Sequence, residues 1–439
     1  MSMNIVKKVY CRTFQFVMRT ALPFLPYREP KLLDGVNGVA ELLKQKKIAR
    51  VLLVTDKGIR SHHLTEPLEQ ALADAGIGIS IFDETVANPT IANVEAARQM
   101  YLDDGCGAII AFGGGSSMDC AKAAGARIAR PRKPLSRMEG LLQVLLPLPL
   151  LIAVPTTAGT GSETTLAAVI TDGETHHKYP INDFALIPSY ALLDPEVTVG
   201  LPPMLTATTG MDAMTHAVEA YIGGSTTRGT REAAVTAVRL ILESLPVAWE
   251  NGGDLTARAK MLRAAYLAGT AFTKSYVGYV HAVAHSLGGQ YGIAHGLANA
   301  VLLPEVLEAY GPAAHKRLGR LALEVGVASA NDTPAEASAK FIARIREMNA
   351  RMEIPRTLEG IREEDLPKLA RNADHEANPL YPVPVLMDAQ ELQALYRLVM
   401  PKTEENTNDR TTDRAGAGKS AQILFDGQNA AQSLSSKGA

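Results

Sequence analysis

The side chains best equipped for chemistry in this chain are an aspartate and four histidines at helical spacing. Asp212 and His216 stand four residues apart in GMDAMTHAVEAY, and His281 and His285 repeat the interval in HAVAHSLGGQYGIAHG. That interval puts both members of a pair on one face of a helix. His295 follows after a glycine-rich turn. A single helix cannot surround an ion, whereas two such pairs and a trailing imidazole can. Carboxylate and imidazole together suit a divalent transition metal with oxygen and nitrogen ligands. Cys11, Cys106 and Cys120 are scattered and form no CxxC, so thiolate ligation and disulfides are not expected and a reducing, cytoplasmic setting is. Spacing does not decide which of the five groups bind, because His281 and His285 share a face.

Two glycine-rich segments offer a second kind of chemistry. GGGSSMDCAK, residues 113–122, follows the apolar run GAIIAF and opens a helical pattern. Free backbone N–H groups and the positive end of the helix then point at the turn, which suits a pyrophosphate. Gly113, Gly114 and Gly115 leave no Cβ in the way, and Ser116 follows them. PTTAGTGSE, residues 155–163, brings the hydroxyls of Thr156, Thr157 and Thr160 after another apolar run. Those hydroxyls suit phosphate or ribose, or an ordinary hydroxyl-rich turn. Asp56 ends the strand pattern ARVLLVTD. A carboxylate there binds adenosine ribose hydroxyls and repels a 2′-phosphate, favouring NAD over NADP; it also suits a helix N-cap.

Short apolar strands alternate with amphipathic helices from Gly35 to Pro155, including one helix over IRSHHLTEPLEQALADAG. That alternation predicts a parallel sheet wrapped on both faces. Beyond residue 205, long alanine- and leucine-rich segments predict an all-helical region. The expected organisation is an N-terminal extension at 1–34 packed on the first domain, a Rossmann-like dinucleotide-binding domain at 35–204, a helical metal-binding domain at 205–402, and a disordered polar tail at 403–439. Arg12 and Arg19 interrupt the apolar run of the extension, so it makes a poor secretory core. The 439 residues are 46% hydrophobic and 21% charged with a net charge of −2, an ordinary globular composition. Nothing global attracts nucleic acid or an anionic membrane, and neither is expected as a partner.

Taken in order, GGGSSMDCAK, PTTAGTGSE, LLDPEVTVGLPP, GMDAMTHAVEAY and GYVHAVAHSLGGQYGIAHGLANAVLLP resemble the iron-containing (group III) alcohol dehydrogenases, over residues 35–400. The resemblance implies an α/β Rossmann-like N-terminal domain and an all-α C-terminal domain, the dehydroquinate synthase-like architecture, with an active cleft between them. It implies a metal-dependent, NAD(P)-linked alcohol dehydrogenase or aldehyde reductase that uses Fe²⁺, or Zn²⁺ in some members, on a small alcohol or aldehyde, in a homo-oligomer. Carried over by position, Asp212, His216, His281 and His295 match the metal ligands. His285 matches the catalytic histidine beside the nicotinamide. Gly114, Gly115 and Ser116 match the pyrophosphate loop; Asp119, Thr156, Thr157, Thr160 and Lys178 match positions lining the cofactor. Phe272 matches an apolar wall of the substrate pocket. The complete Asp/His/His/His set argues against the metal-free maleylacetate reductases of the same scaffold. The expected reaction is hydride transfer between an alkoxide held at the metal and nicotinamide.

Overall fold

The apolar runs of the first half become parallel strands. In the computed structural model, which describes residues 3–175 and 177–401, β1 (Lys31–Leu33), β2 (Arg50–Val54), β3 (Gly78–Phe82) and β4 (Ala108–Gly113) share a sheet with later strands. A short β5 (Gly140–Leu141) precedes β6 (Leu150–Pro155), β7 (Ala167–Thr171), β8 (Lys178–Asn182) and β9 (Tyr190–Leu192). The main sheet runs β1-β9-β6-β4-β2-β3 with every pairing parallel. Leu52 and Val54 of β2 pack with Val94 and Met118 on one face, while Val51 and Leu53 pack with Leu43 and Leu68 on the other. Strands covered on both faces need no polar alternation, and all six residues of β4 are buried.

Strand order locates the ligand site before any side chain is considered. β3 lies on one side of β2 and β4 on the other, so the sheet changes direction between β2 and β4. In such sheets the crevice beyond the strand ends at this switch receives ligands. Asp56 follows β2 and Gly113 ends β4, so both flank it.

Three features differ from the sequence reading. The helix expected over IRSHHLTEPLEQALADAG is two helices, Lys57–Ser61 and Glu66–Asp74. His63 takes a left-handed φ of 58° between them, and Pro67, which lacks an N–H, sits in the first turn of the second. A second sheet, ordered β5-β8-β7, was not foreseen; β5 has two residues and β8 contains Pro180. Finally, the helix Ile5–Ala21 of the extension packs on the helical region, not on the first domain. The irregular stretch around residues 379–384 has carbonyls without regular partners. Gln15 donates to the Pro379 and Tyr381 oxygens, Arg12 to those of Val383 and Pro384, and Lys7 pairs with Asp374. The rest of the extension does reach the α/β part: Tyr27 packs edge-on against Phe184, Arg28 donates to the Ile187 oxygen, and β1 pairs with β9 in the main sheet.

From Pro203 to Leu398 the described regular elements are helical. The helix Pro203–Ile222 is buried on nearly every side from Thr206 onward, so its polar residues need partners inside the protein. It is the helix that carries Asp212 and His216. The expected tail at 403–439 lies outside the described residues.

Candidate metal and cofactor site

Asp212, His216 and Glu219 lie along the buried helix Pro203–Ile222. Facing them, the helix Tyr279–Tyr291 carries His281 and His285, and His295 opens the helix His295–Ala309. Asp212, His216 and His281 each offer a ligand atom within 4.8 Å of the others. His295 stands outside that tightest group, yet its Nε2 is 3.4 Å from Asp212 Oδ1.

Two partners that the sequence reading missed hold this arrangement. Glu219 accepts the Gly278 and Val280 N–H groups, both at 2.8 Å, which caps the His281 helix from outside. The same carboxyl lies 2.6 Å from His281 Nδ1. With Glu219 as a carboxylate, both oxygens also taking backbone protons, Nδ1 is the donor and His281 Nε2 keeps its lone pair. Gly278 is required here, because a Cβ on it would lie 2.7 Å from Glu219 Oε1. Asn299, one turn after His295, points Nδ2 at Asp212 Oδ1 (2.7 Å), His295 Nε2 (3.0 Å) and His281 Nε2 (3.3 Å). An amide nitrogen has two protons for these three acceptors. His216 Nδ1 and Asn299 Oδ1 are buried without a hydrogen-bond partner. Asp212 Oδ1, His295 Nε2 and His281 Nε2 converge with fewer protons than lone pairs, which is what a cation satisfies, so the residues present fit a divalent ion.

Electrostatics agree with that fit. Burial raises the Asp212 pKa, but His216, His295 and His281 outweigh it and hold the group well below the carboxylate range. Burial, reinforced by His295 and His285 and opposed by Asp212, pushes His216 down to about 4. His281 is driven well below its usual value by burial, then by His216 and His295. The His216 and His281 imidazoles therefore stay neutral and able to ligate at neutral pH. Burial pushes Glu219 up to about 8 against its N–H donors.

His285 is different. Its side chain is 45% exposed, its ring stacks on His295 at 5.0 Å, and its Nδ1 lies 2.7 Å from Glu376 Oε1. Burial disfavours its charge, but Glu376 outweighs that and raises its pKa. Phe272 stacks on His216 with ring centroids 4.1 Å apart.

The residues expected to line a cofactor gather at the sheet switch. The helix Gly115–Ala129 starts at Gly114, directly after β4. A Cβ on Gly113, where φ is +155°, would lie 2.4 Å from Ser117 Oγ. Asp56 is the N-cap foreseen as one of its two roles: Oδ1 accepts the Ile59 N–H at 3.0 Å. Its Oδ2 takes the Ser117 hydroxyl at 3.4 Å, which ties the β2 end to the glycine loop. The Asn88 N–H donates to Ser116 Oγ at 3.4 Å. Thr156 N donates to the Gly113 oxygen (3.1 Å), and the side chains of Thr157 and Thr160 face Gly114 and Gly115. Asp119 accepts from Val169 N (3.1 Å) and Ser162 Oγ (3.5 Å), so it braces β7 as well as the loop. Burial pushes its pKa up to about 6 despite Lys122. Lys178 donates to Asn88 Oδ1 at 2.6 Å, and its charge is felt by both Asp119 and His285. It therefore links the cofactor residues to the histidines.

Lys122, also missed, is fully buried and donates to Ser162 Oγ, Thr165 Oγ1 and the oxygens of Thr165 and Ala167 at 2.8–3.0 Å. It locks the segment 155–163 under the glycine loop. Gly159 and Gly161 dock that segment on the metal side. A Cβ on Gly159 would lie 2.7 Å from Thr209 Cβ, and one on Gly161 would lie 2.7 Å from Gly269 Cα. The helix Leu255–Ser275, which carries Gly269, also carries Phe272.

Known proteins are similar to this chain along the same stretch. Residues 34–195 match the model of the iron-containing alcohol dehydrogenases, and residues 206–400 that of the C-terminal part of the same family. Alcohol dehydrogenase 4 of Saccharomyces cerevisiae (strain YJM789) is 40% identical over 347 residues, 78% of this chain and 89% of the yeast protein. The crystal structure of a 1,3-propanediol oxidoreductase superposes with a TM-score of 0.81 at 36% identity, covering 85% of this chain and 98% of the other. Sulfoacetaldehyde reductase from Bifidobacterium kashiwanohense, solved in complex with NAD⁺, superposes with a TM-score of 0.75 at 28% identity, covering 85% and 98%. The chain belongs to the iron-containing alcohol dehydrogenase family.

Proposed function

We propose that this protein is a metal-dependent, NAD-linked alcohol dehydrogenase that also reduces the corresponding aldehyde, acting on a small alcohol or aldehyde. The observation that carries the reading is the convergence of Asp212, His216 and His281, with His295 at its edge, beside a histidine that Glu376 leaves free at Nε2. We assign Asp212, His216, His281 and His295 as ligands and His285 as the proton-handling residue. Fe²⁺ is the ion of choice from the family, with Zn²⁺ the alternative, since nitrogen and oxygen donors accept both. Asp56 beside the glycine loop supports NAD over NADP. Residues 35–204 form the cofactor half and 205–402 the metal half of this reading, which also takes the enzyme as a cytoplasmic homo-oligomer with no nucleic-acid partner.

When bound, the ion supplies Lewis acidity that lowers an alcohol's hydroxyl pKa, and the nicotinamide supplies the hydride acceptor. The chain does the rest. Glu219 and Asn299 orient the ligand atoms. His285 takes the hydroxyl proton at Nε2, because Nδ1 is engaged with Glu376. Phe272, stacked on His216, would offer an apolar side to a substrate bound at the ligands. Lys178 and Asp119 hold the loop end of the site together. The test contrasts two variants: Asp212→Ala loses bound metal and turnover together, whereas His285→Gln keeps its metal and loses rate. An active Asp212→Ala protein, or a His285→Gln protein without metal, contradicts the assignment.

A further inference from the structure

The helix Ile5–Ala21 has a face that nothing in the described chain covers. At 100° per residue, Ile5, Val6, Val9, Tyr10, Phe16 and Val17 share one arc with only threonines between them. Ile5 and Val6 are 72% exposed, Phe16 66%, and Phe24 just beyond the helix 87%. The opposite arc is fixed to the protein: Cys11 is buried, Gln15 and Arg12 bind carbonyls, and Lys7 pairs with Asp374. The apolar arc is therefore presented by a docked helix, not by a loose end.

Charge says what suits it. Residues 3–28 contain Lys7, Lys8, Arg12, Arg19 and Arg28 and no carboxylate. Lys8, Arg12 and Arg19 line one border of the apolar arc. Arg317, whose pKa is lowered by burial and then by Arg19, Arg231 and Arg12, adds further cationic charge beside it. The whole-chain net charge of −2 conceals this concentration. The segment precedes residue 34, where the family model begins to match.

We propose that this helix seats the enzyme on an anionic lipid surface, lying in the plane of the interface with Phe16 and Phe24 among the acyl chains and Lys8 and Arg19 at the headgroups. An amphipathic helix with aromatic apolar residues and a basic border binds in this way. No described helix is long and apolar enough to cross a bilayer, so the contact is peripheral. A second copy of the chain is the poorer occupant. Packed antiparallel, matching apolar arcs would bring two cationic borders together, and the segment 3–28 offers no carboxylate to neutralise them.

Sedimentation of the full-length enzyme with vesicles tests this, using phosphatidylcholine alone against phosphatidylcholine mixed with phosphatidylserine. Binding to the mixed vesicles only, released by salt, is expected. Val9→Gln/Phe16→Gln removes two membrane-facing side chains without touching the docked face. It should lower partitioning on the order of a hundred-fold while alcohol oxidation is unchanged. Lys8→Gln/Arg19→Gln should lower it roughly thirty-fold. The proposal is overturned if the native enzyme ignores anionic vesicles, or if Val9→Gln/Phe16→Gln binds them as well as native protein. A variant that instead splits an oligomer, with no vesicle binding by the native enzyme, assigns the arc to a second copy.

Discussion

Gly161→Ala is the substitution whose effect follows most directly from the packing. Gly161 has φ +61°, and a Cβ there would lie 2.7 Å from Gly269 Cα and 3.1 Å from the Ala265 oxygen. The left-handed backbone alone costs alanine about 1–2 kcal/mol. Both neighbours belong to the helix Leu255–Ser275, so relief requires backbone movement, and overpacking of this kind costs about 1–3 kcal/mol. A total destabilisation of about 3 kcal/mol is expected. The segment that moves carries Thr156, Thr157 and Thr160 beneath the glycine loop, so NADH affinity should fall about five- to tenfold, the worth of one lost hydrogen bond or slightly more. Gly173→Ala is the control, since no atom lies within 4 Å of its Cβ position. Urea denaturation and a fluorescence titration with NADH read the two effects. A Gly161→Ala protein with native stability and native NADH affinity refutes the close approach of loop and helix.

Two further perturbations test the buried carboxyls. Glu219→Gln keeps the shape of the side chain but sets an amide among N–H donors, so His281 loses its orienting partner; chelator competition should show metal affinity down about ten- to a hundredfold. Unchanged affinity means that Glu219 only caps a helix. Glu163, buried beside Lys122, has its pKa pushed by burial from 4.5 up to about 7. A carboxyl raised in this way contributes stability that is complete below its unfolded pKa and is lost as pH rises through the folded one. Glu163→Gln lacks that loss, so urea unfolding between pH 5 and 7 should show native protein falling relative to the variant by about 2–3 kcal/mol. Parallel curves contradict the burial of an ionisable Glu163.

The site was legible in the sequence where its residue types are chemically scarce. Histidines and an aspartate at intervals of four announce ligation, and glycines after an apolar strand announce a phosphate turn. The supporting residues are common types with several uses, which is why they escaped. Glu219 is one turn past His216 and Asn299 one turn past His295, so both lie on ligand-bearing faces, and that spacing is the signal that would have found them. Lys122 sits on a mostly alanine helix face and is read as solvated until the fold buries it. Gly159 and Gly161 were seen as part of a hydroxyl-rich turn; their contacts with two helices, at Thr209 and Gly269, are tertiary facts. The small sheet escaped because two-residue and proline-containing strands have too little pattern to register. The helix of the extension, unlike its Tyr27–Leu33 end, was placed on the wrong neighbour because most of its docking partners are backbone carbonyls, which no sequence pattern marks.

The central claim is that Asp212, His216, His281 and His295 hold the ion on which hydride transfer depends. Stripping the enzyme of metal and following anaerobic NADH oxidation with butyraldehyde, after adding Fe²⁺, Zn²⁺ or nothing, tests it most directly. Activity that returns with a stoichiometric ion and stays absent without one is the predicted result. Full turnover by the stripped protein would contradict the account.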